Sequence, residues 1–138
     1  MPENVLVGKI LLYSKRDIII KVYIMSQLTH LNAAGEAHMV DISEKDITNR
    51  IAIAQSVVQL TPKIVAAIAS KEIAKGDLFG AARIAGIQAA KKCSDLIPLC
   101  HALPLTKISV EMELKDDALV IKSLCKTSAR TGVEMEAL

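Results

Sequence analysis

The chain has 138 residues, of which 51% are hydrophobic and 2% aromatic, and its formal net charge is +2. This length suits one domain, and the composition predicts a core of aliphatic and alanine side chains. Few aromatic residues and little basic excess argue against a single-stranded or duplex nucleic-acid-binding surface, so we expect no nucleic-acid partner.

The cysteines and the apolar runs indicate the compartment. Cys93, Cys100 and Cys125 are odd in number and lack the paired spacing of a zinc site, which predicts reduced thiols and no bound metal. No apolar run has the length of a membrane span, and the opening runs lack the pattern of a secretory signal. We therefore expect a cytoplasmic protein without a membrane partner.

The first 24 residues differ from those that follow. Two β-branched runs, 10–13 and 18–24, flank a polar segment and predict a hairpin. From Met25 to residue 40 the residues are polar and small, which predicts a flexible N-terminal arm. We interpret 1–24 as an extension upstream of a biological start at Met25; a genuine additional hairpin is the alternative.

The body of the domain, 41–138, opens with a predicted strand and two predicted helices. Residues 50–58 alternate loosely and predict a strand, although their alanines leave a helix possible. Thr61 and Pro62 predict the start of a helix that ends near Ile73. Asp77 is placed to cap a second helix, 78–92.

That second helix contains Gly80 and Gly86. Because glycine destabilises a helix, its use twice predicts that another backbone packs very close to this helix.

A loop with two prolines follows. Pro98 and Pro104 stand three residues on either side of His101 and restrict the backbone around it. Cys100 and His101 on such a stiffened loop, between a helix and a sheet, are placed where functional sites commonly form. The alternative is that both are partly buried residues satisfied by the backbone.

The C-terminal third predicts a strand pair and a helix. Strict alternation over 107–115 and the partner run 118–126 predict a hairpin, 127–132 a polar loop, and 133–138 a third helix. Antiparallel strands and helices in this order predict an α+β fold with the helices packed on one face of the sheet. Because a helix this short would fray, we expect the sequence to be truncated within it.

Two further features carry possible chemistry. Lys75, before Gly76 and the capping Asp77, places an ammonium at a helix N-terminus, where a phosphate fits; a solvated lysine beside an ordinary cap is the alternative. On a helix, Glu134 and Glu136 would point about 200° apart, so at most one would face a given pocket unless the segment is not helical.

Five blocks, in order from Met25 to Leu138, resemble the cyclic pyranopterin monophosphate synthase family (MoaC), the second enzyme of molybdenum cofactor biosynthesis. The blocks are 32–41, 75–77, 82–91, 95–101 and 131–138. Residues 1–24 have no place in this resemblance.

The resemblance implies a fold, an assembly and a reaction. It implies a ferredoxin-like subunit in a homohexamer, a trimer of dimers with active sites at subunit interfaces. The reaction is that of a lyase, which converts a cyclised dihydro-GTP into cyclic pyranopterin monophosphate and pyrophosphate. No metal or organic cofactor is implied.

The resemblance also implies roles for particular residues. His101, Lys75 and Glu134 would be catalytic, with Lys75 binding the phosphates or moving protons and Glu134 completing the pocket. The residues expected to contact the substrate are Leu99, Cys100, His101, Met135 and Glu136.

The sequence differs from the family pattern in one respect, which leaves two alternative hypotheses open. The family continues into a long helix with a catalytic Asp and, three residues later, a Lys, and no residue of this sequence matches either. The alternative is therefore a truncated, non-catalytic product that only binds ligand or assembles with other subunits. A third hypothesis is a regulatory ligand-binding domain of ferredoxin-like fold. The motif blocks and their order argue against this hypothesis.

Overall fold

The computed structural model describes residues 29–70 and 76–138. Within these ranges the chain forms an antiparallel sheet of three strands, together with four helices, which confirms the predicted α+β class. The predicted hairpin of residues 1–24, the predicted end of the first helix at Ile73, and Lys75 lie outside the described residues. None of the helices in the described ranges is both long and apolar enough to cross a membrane.

The sheet has its last strand in the middle. The strands are β1 (Thr48–Gln59), β2 (Leu105–Leu114) and β3 (Ala118–Ala129), in the order β1-β3-β2, and both pairings are antiparallel. The predicted hairpin of β2 and β3 is confirmed, and β1 is a strand rather than the helix that its alanines left possible.

The predicted polar loop at 127–132 is wrong in its first half. Residues 127–129 continue β3 and pair with the start of β1, where Thr127 lies opposite Arg50. Thr127 is only 2% exposed, and its Oγ1 donates a hydrogen bond to the carbonyl oxygen of Pro104 at 2.9 Å. The hydroxyl that gave this segment its polar character is thus satisfied in the interior, which its pattern cannot reveal.

Replacing Thr127 by valine is expected to lower the free energy of unfolding by about 1 kcal/mol, because the shape is kept while a part-buried hydrogen bond to the Pro104 carbonyl is lost. Urea unfolding measures the change. Thr106→Val is the matched control, since Thr106 is exposed on β2. Equal losses in the two variants would contradict the role of the hydrogen bond.

The helices begin at the predicted caps. Helix α1 (Pro62–Ala69) starts after Thr61, and α2 (Leu78–Lys91) starts after Asp77, whose carboxylate accepts from the amide of Gly80 at 2.9 Å. Two single turns follow: α3 (Cys93–Leu96), which lies in the segment predicted as loop, and α4 (Glu134–Ala137).

A small-residue core lies between the sheet and two of these helices. Helix α2 packs on β2, and α4 packs on β1, β3 and α2. Val133 and Cys125 are almost fully buried there. The core cluster consists of Ala52, Ala90, Cys125, Val133 and Ala137.

Within the described part of this chain, the glycines of α2 face side chains and not a backbone. A Cβ at Gly86 would meet the side chain of Val110 on β2, at 3.2 Å from Cγ2. A Cβ at Gly80 would clash with the carboxylate of Asp77, the helix's own cap. In both places the space is taken by a side chain of the same chain.

Candidate active site

A cavity of about 200 Å³ collects six of the seven residues that the resemblance marks as functional. The cavity lies where the proline-flanked loop, the end of β3 and α4 meet the segment that precedes β1. Those six residues are Leu99, Cys100, His101, Glu134, Met135 and Glu136. The seventh, Lys75, lies outside the described residues, so its place relative to the cavity stays a prediction.

The loop is held by backbone bonds and by one unusual residue. Its first turn follows α3, where the amide of Ile97 donates to Cys93 O at 2.8 Å and the amide of Cys100 donates to Ile97 O at 3.3 Å. Leu99 adopts φ of +65°, a left-handed conformation that is uncommon for a side chain of this size. Such backbone strain persists where surrounding contacts enforce it, and it clusters at functional sites.

His101 is oriented by a carbonyl from a distant part of the chain. Its Nε2 lies 2.9 Å from the carbonyl oxygen of Val40, 61 positions earlier. Because a carbonyl can only accept, Nε2 carries the proton, and Nδ1 of the neutral ring is the nitrogen that can accept one. The imidazole therefore has a fixed tautomer and one free basic atom.

The segment 40–45, which we call the wall segment, contributes three residues to the lining of the cavity. Val40, Ile42 and Lys45 of this segment line the cavity. Asp41 shapes its turn by accepting from the amide of Ser43 at 2.9 Å and from the Ser43 hydroxyl. These hydrogen bonds from Ser43 are the main reason that the pKa of Asp41 lies below its usual range.

Both glutamates line the cavity, although their helical spacing predicted that only one would. Glu134 is exposed and is the first residue of α4, and its carboxylate folds back over Gly132, where a Cβ would clash with Oε2. Glu136 is 8% exposed and lies on the buried side of the same helical turn. The missing side chain of Gly132 gives the Glu134 carboxylate its room.

Glu136 is buried beside two thiols. Burial is the main cause that raises the pKa of its carboxyl, and a hydrogen bond from the Cys93 thiol partly opposes this shift. Burial also raises the pKa of Cys93 to about 12 and that of Cys125 to about 11, and the charge of Glu136 contributes to both shifts. These thiols stay protonated at neutral pH, and Cys125 Sγ donates to the Glu136 carbonyl oxygen at 3.2 Å.

Met135 is 40% exposed at the cavity. A methionine at this position of a short amphipathic turn would by default belong to the core. Here Glu136 and Ala137 take the buried side of α4 and leave the Met135 thioether at the surface of the site.

Several cavity residues were not predicted as functional. Thr29 and His30 come from the N-terminal arm, and Lys45 comes from the wall segment. No pattern marks them, because long-range contacts bring them to the cavity. His30 and Lys45 add an imidazole and an ammonium, which suit an anionic ligand.

A second, more open cavity of about 570 Å³ adjoins the first and shares Ile42, Cys100, His101 and Leu103 with it. Together they offer a continuous surface around His101. Across the two described ranges, no group of three or more His, Cys, Asp or Glu side chains is arranged to hold a metal ion.

Comparison with known proteins identifies the family of the chain. The sequence profile of the MoaC family matches residues 39–138. A curated protein of Dinoroseobacter shibae, named cyclic pyranopterin monophosphate synthase, is 51% identical over 116 residues, which cover 83% of this chain and 73% of that protein. The chain therefore belongs to the MoaC family.

Proposed function

We propose that this chain acts in molybdenum cofactor biosynthesis as a cyclic pyranopterin monophosphate synthase, a lyase that converts a cyclised dihydro-GTP into cyclic pyranopterin monophosphate and pyrophosphate. Family membership and the name of the relative support this function. The observation that carries it is that Leu99, Cys100, His101, Met135 and Glu136 all line one cavity.

The side chains of the cavity suit the two demands of this reaction. A triphosphate needs cationic partners, and Lys45 is the ammonium at the cavity, while Lys75 remains the second proposed contact. Proton movement needs a base and an acid, for which His101 Nδ1 and the buried carboxyl of Glu136 are our candidates. Glu134 completes the pocket from its rim.

Direct turnover tests the proposal. The purified chain is incubated with the cyclised dihydro-GTP, and both pyrophosphate and cyclic pyranopterin monophosphate are measured. Equimolar formation of the two products supports the proposal. Ligand binding without pyrophosphate release would favour the non-catalytic alternative instead.

The room beside Gly132 gives a selective test of Glu134. In Gly132→Ala the new Cβ would displace the Glu134 carboxylate. We expect product formation to fall at least about tenfold, since a misplaced catalytic group loses its effect. The free energy of unfolding should change by less than about 1 kcal/mol, because only the end of a flexible side chain must move. Kinetics and thermal unfolding measure the two effects.

Gly86→Ala is the matched control for this variant. Its new Cβ meets the Val110 side chain, at 3.2 Å from Cγ2, and not the Glu134 carboxylate. Its rate should therefore stay within about twofold of the unsubstituted chain. A full rate in Gly132→Ala would contradict the role of Glu134.

The assembly and compartment are proposals too. The strand order β1-β3-β2, with helices between β1 and β2 and after β3, has the chain path of the first five elements of a split β-α-β-β-α-β subunit. Ile51 and Ile53 are 47% and 37% exposed on the sheet. An apolar stripe of this kind suits the proposed ferredoxin-like subunit of a cytoplasmic homohexamer. Sedimentation velocity of the purified chain measures its mass.

A further inference from the structure

We propose that Arg130 is a positioning residue that fixes the wall segment, 40–45, against the end of β3. Its Nη1 donates to the carbonyl oxygens of Ser43 and Lys45, the latter at 2.7 Å. Arg130 lines the larger, adjoining cavity but not the smaller one, so its effect on the smaller cavity is transmitted through the wall segment. This inference rests on the proposed function, because it assigns the wall segment to the substrate site.

The wall segment needs such an anchor. It contains no helix or strand, and its internal bonds are local, such as that from the amide of Lys45 to Ile42 O at 3.1 Å. A short turn of this kind does not hold one position in water by itself. Its distant hydrogen bonds are the one from His101 to Val40 O and the pair from Arg130, whose partners lie 85 and 87 positions away in sequence.

Arginine is suited to this task. Its planar guanidinium offers several donors in a rigid arrangement, whereas a lysine ammonium is a flexible point charge. Arg130 also directly precedes Thr131 and Gly132, which line the cavity themselves. One side chain therefore joins the wall segment to the chain that leads into α4.

The test compares Arg130→Met, Arg130→Lys and the control Lys115→Met in the full chain. Methionine keeps an unbranched apolar stem but removes the donors, and Lys115 is exposed beside Glu113 at the far end of the sheet. Hydrogen exchange reports the amides of 41–45, and steady-state kinetics with the cyclised dihydro-GTP report KM and kcat separately.

For Arg130→Met we expect exchange in 41–45 to become at least about tenfold faster, while the amides of β3 stay protected. KM should rise about tenfold with kcat changed less than about threefold, because Arg130 holds Ser43 and Lys45 of the wall segment, whereas Val40 keeps its own hydrogen bond to His101. In Arg130→Lys the rise in KM should be smaller than in Arg130→Met. Lys115→Met should have the KM, the kcat and the exchange rates of the unsubstituted chain.

Unchanged exchange in 41–45 would overturn the proposal, and so would faster exchange with an unchanged KM. A fall in kcat that follows a general loss of protection would assign Arg130 to the stability of the fold and would also overturn it. An unsubstituted chain without turnover contradicts the proposed function separately, while the exchange data still decide whether Arg130 holds the wall segment.

Discussion

Replacing His101 by glutamine is expected to lower kcat by about 10²- to 10⁴-fold, the usual effect of losing a general base or acid. The glutamine amide can donate to Val40 O in place of Nε2, but it has no atom that accepts a proton as Nδ1 does. Product formation from the cyclised dihydro-GTP over a range of concentrations gives kcat and KM separately.

His101→Ala separates the two tasks of this side chain. Alanine removes both the base and the hydrogen bond to Val40, so kcat should fall as far as in the glutamine variant. The free energy of unfolding should be about 1 kcal/mol lower than in the glutamine variant, because the wall segment loses its hydrogen bond to residue 101.

His38→Gln is the matched control, since His38 is exposed in the arm and does not line the cavity. Its rate should equal that of the unsubstituted chain. A full rate in His101→Gln would remove His101 from the chemistry and leave it the positional role alone.

The strands were predictable because each one carries its own pattern. The alternation of 107–115 reflects a β2 strand with Val110 buried and Glu111 exposed, and Asp77 marks the start of α2 by its capping carboxylate. The single turn α3 was missed, since no side chain caps it and four residues are too short for a helical period.

Some residues of the site were likewise predictable from the sequence, and others were not. His101 and Glu134 were predicted because they stand in recognisable blocks, and the cavity brings these blocks together. Lys45 and Arg130 were missed, because their roles depend on contacts between residues far apart in sequence. Neither spacing nor composition carries information about such a contact, which exists only once the sheet has formed.

Replacing Glu136 by glutamine is expected to make the protein more stable at neutral pH and less active. Burial raises the pKa of the Glu136 carboxyl, so the folded state favours the protonated form. Its contribution to stability is complete below the ordinary value of about 4.5 and is lost as the pH rises from there through the raised pKa. Glutamine stays neutral, so the variant should gain on the order of 1 kcal/mol near pH 8 and almost nothing near pH 4.

Activity should move in the opposite direction. Glutamine keeps a donor and an acceptor beside Cys93, but it cannot release a proton, so we expect product formation to fall at least about tenfold. Urea unfolding at the two pH values and kinetics at neutral pH measure both effects. Glu111→Gln is the control, because that carboxylate is exposed on β2 and should change neither quantity.

A variant that is stabilised at neutral pH and inactive would show that the buried carboxyl is kept for function at the expense of stability. Unchanged stability at both pH values would mean that the Glu136 carboxyl is hydrated in solution, in conflict with its burial beside Cys93. Full activity would assign the acid of the proposed reaction to another residue, with Glu134 at the rim of the cavity as the next candidate.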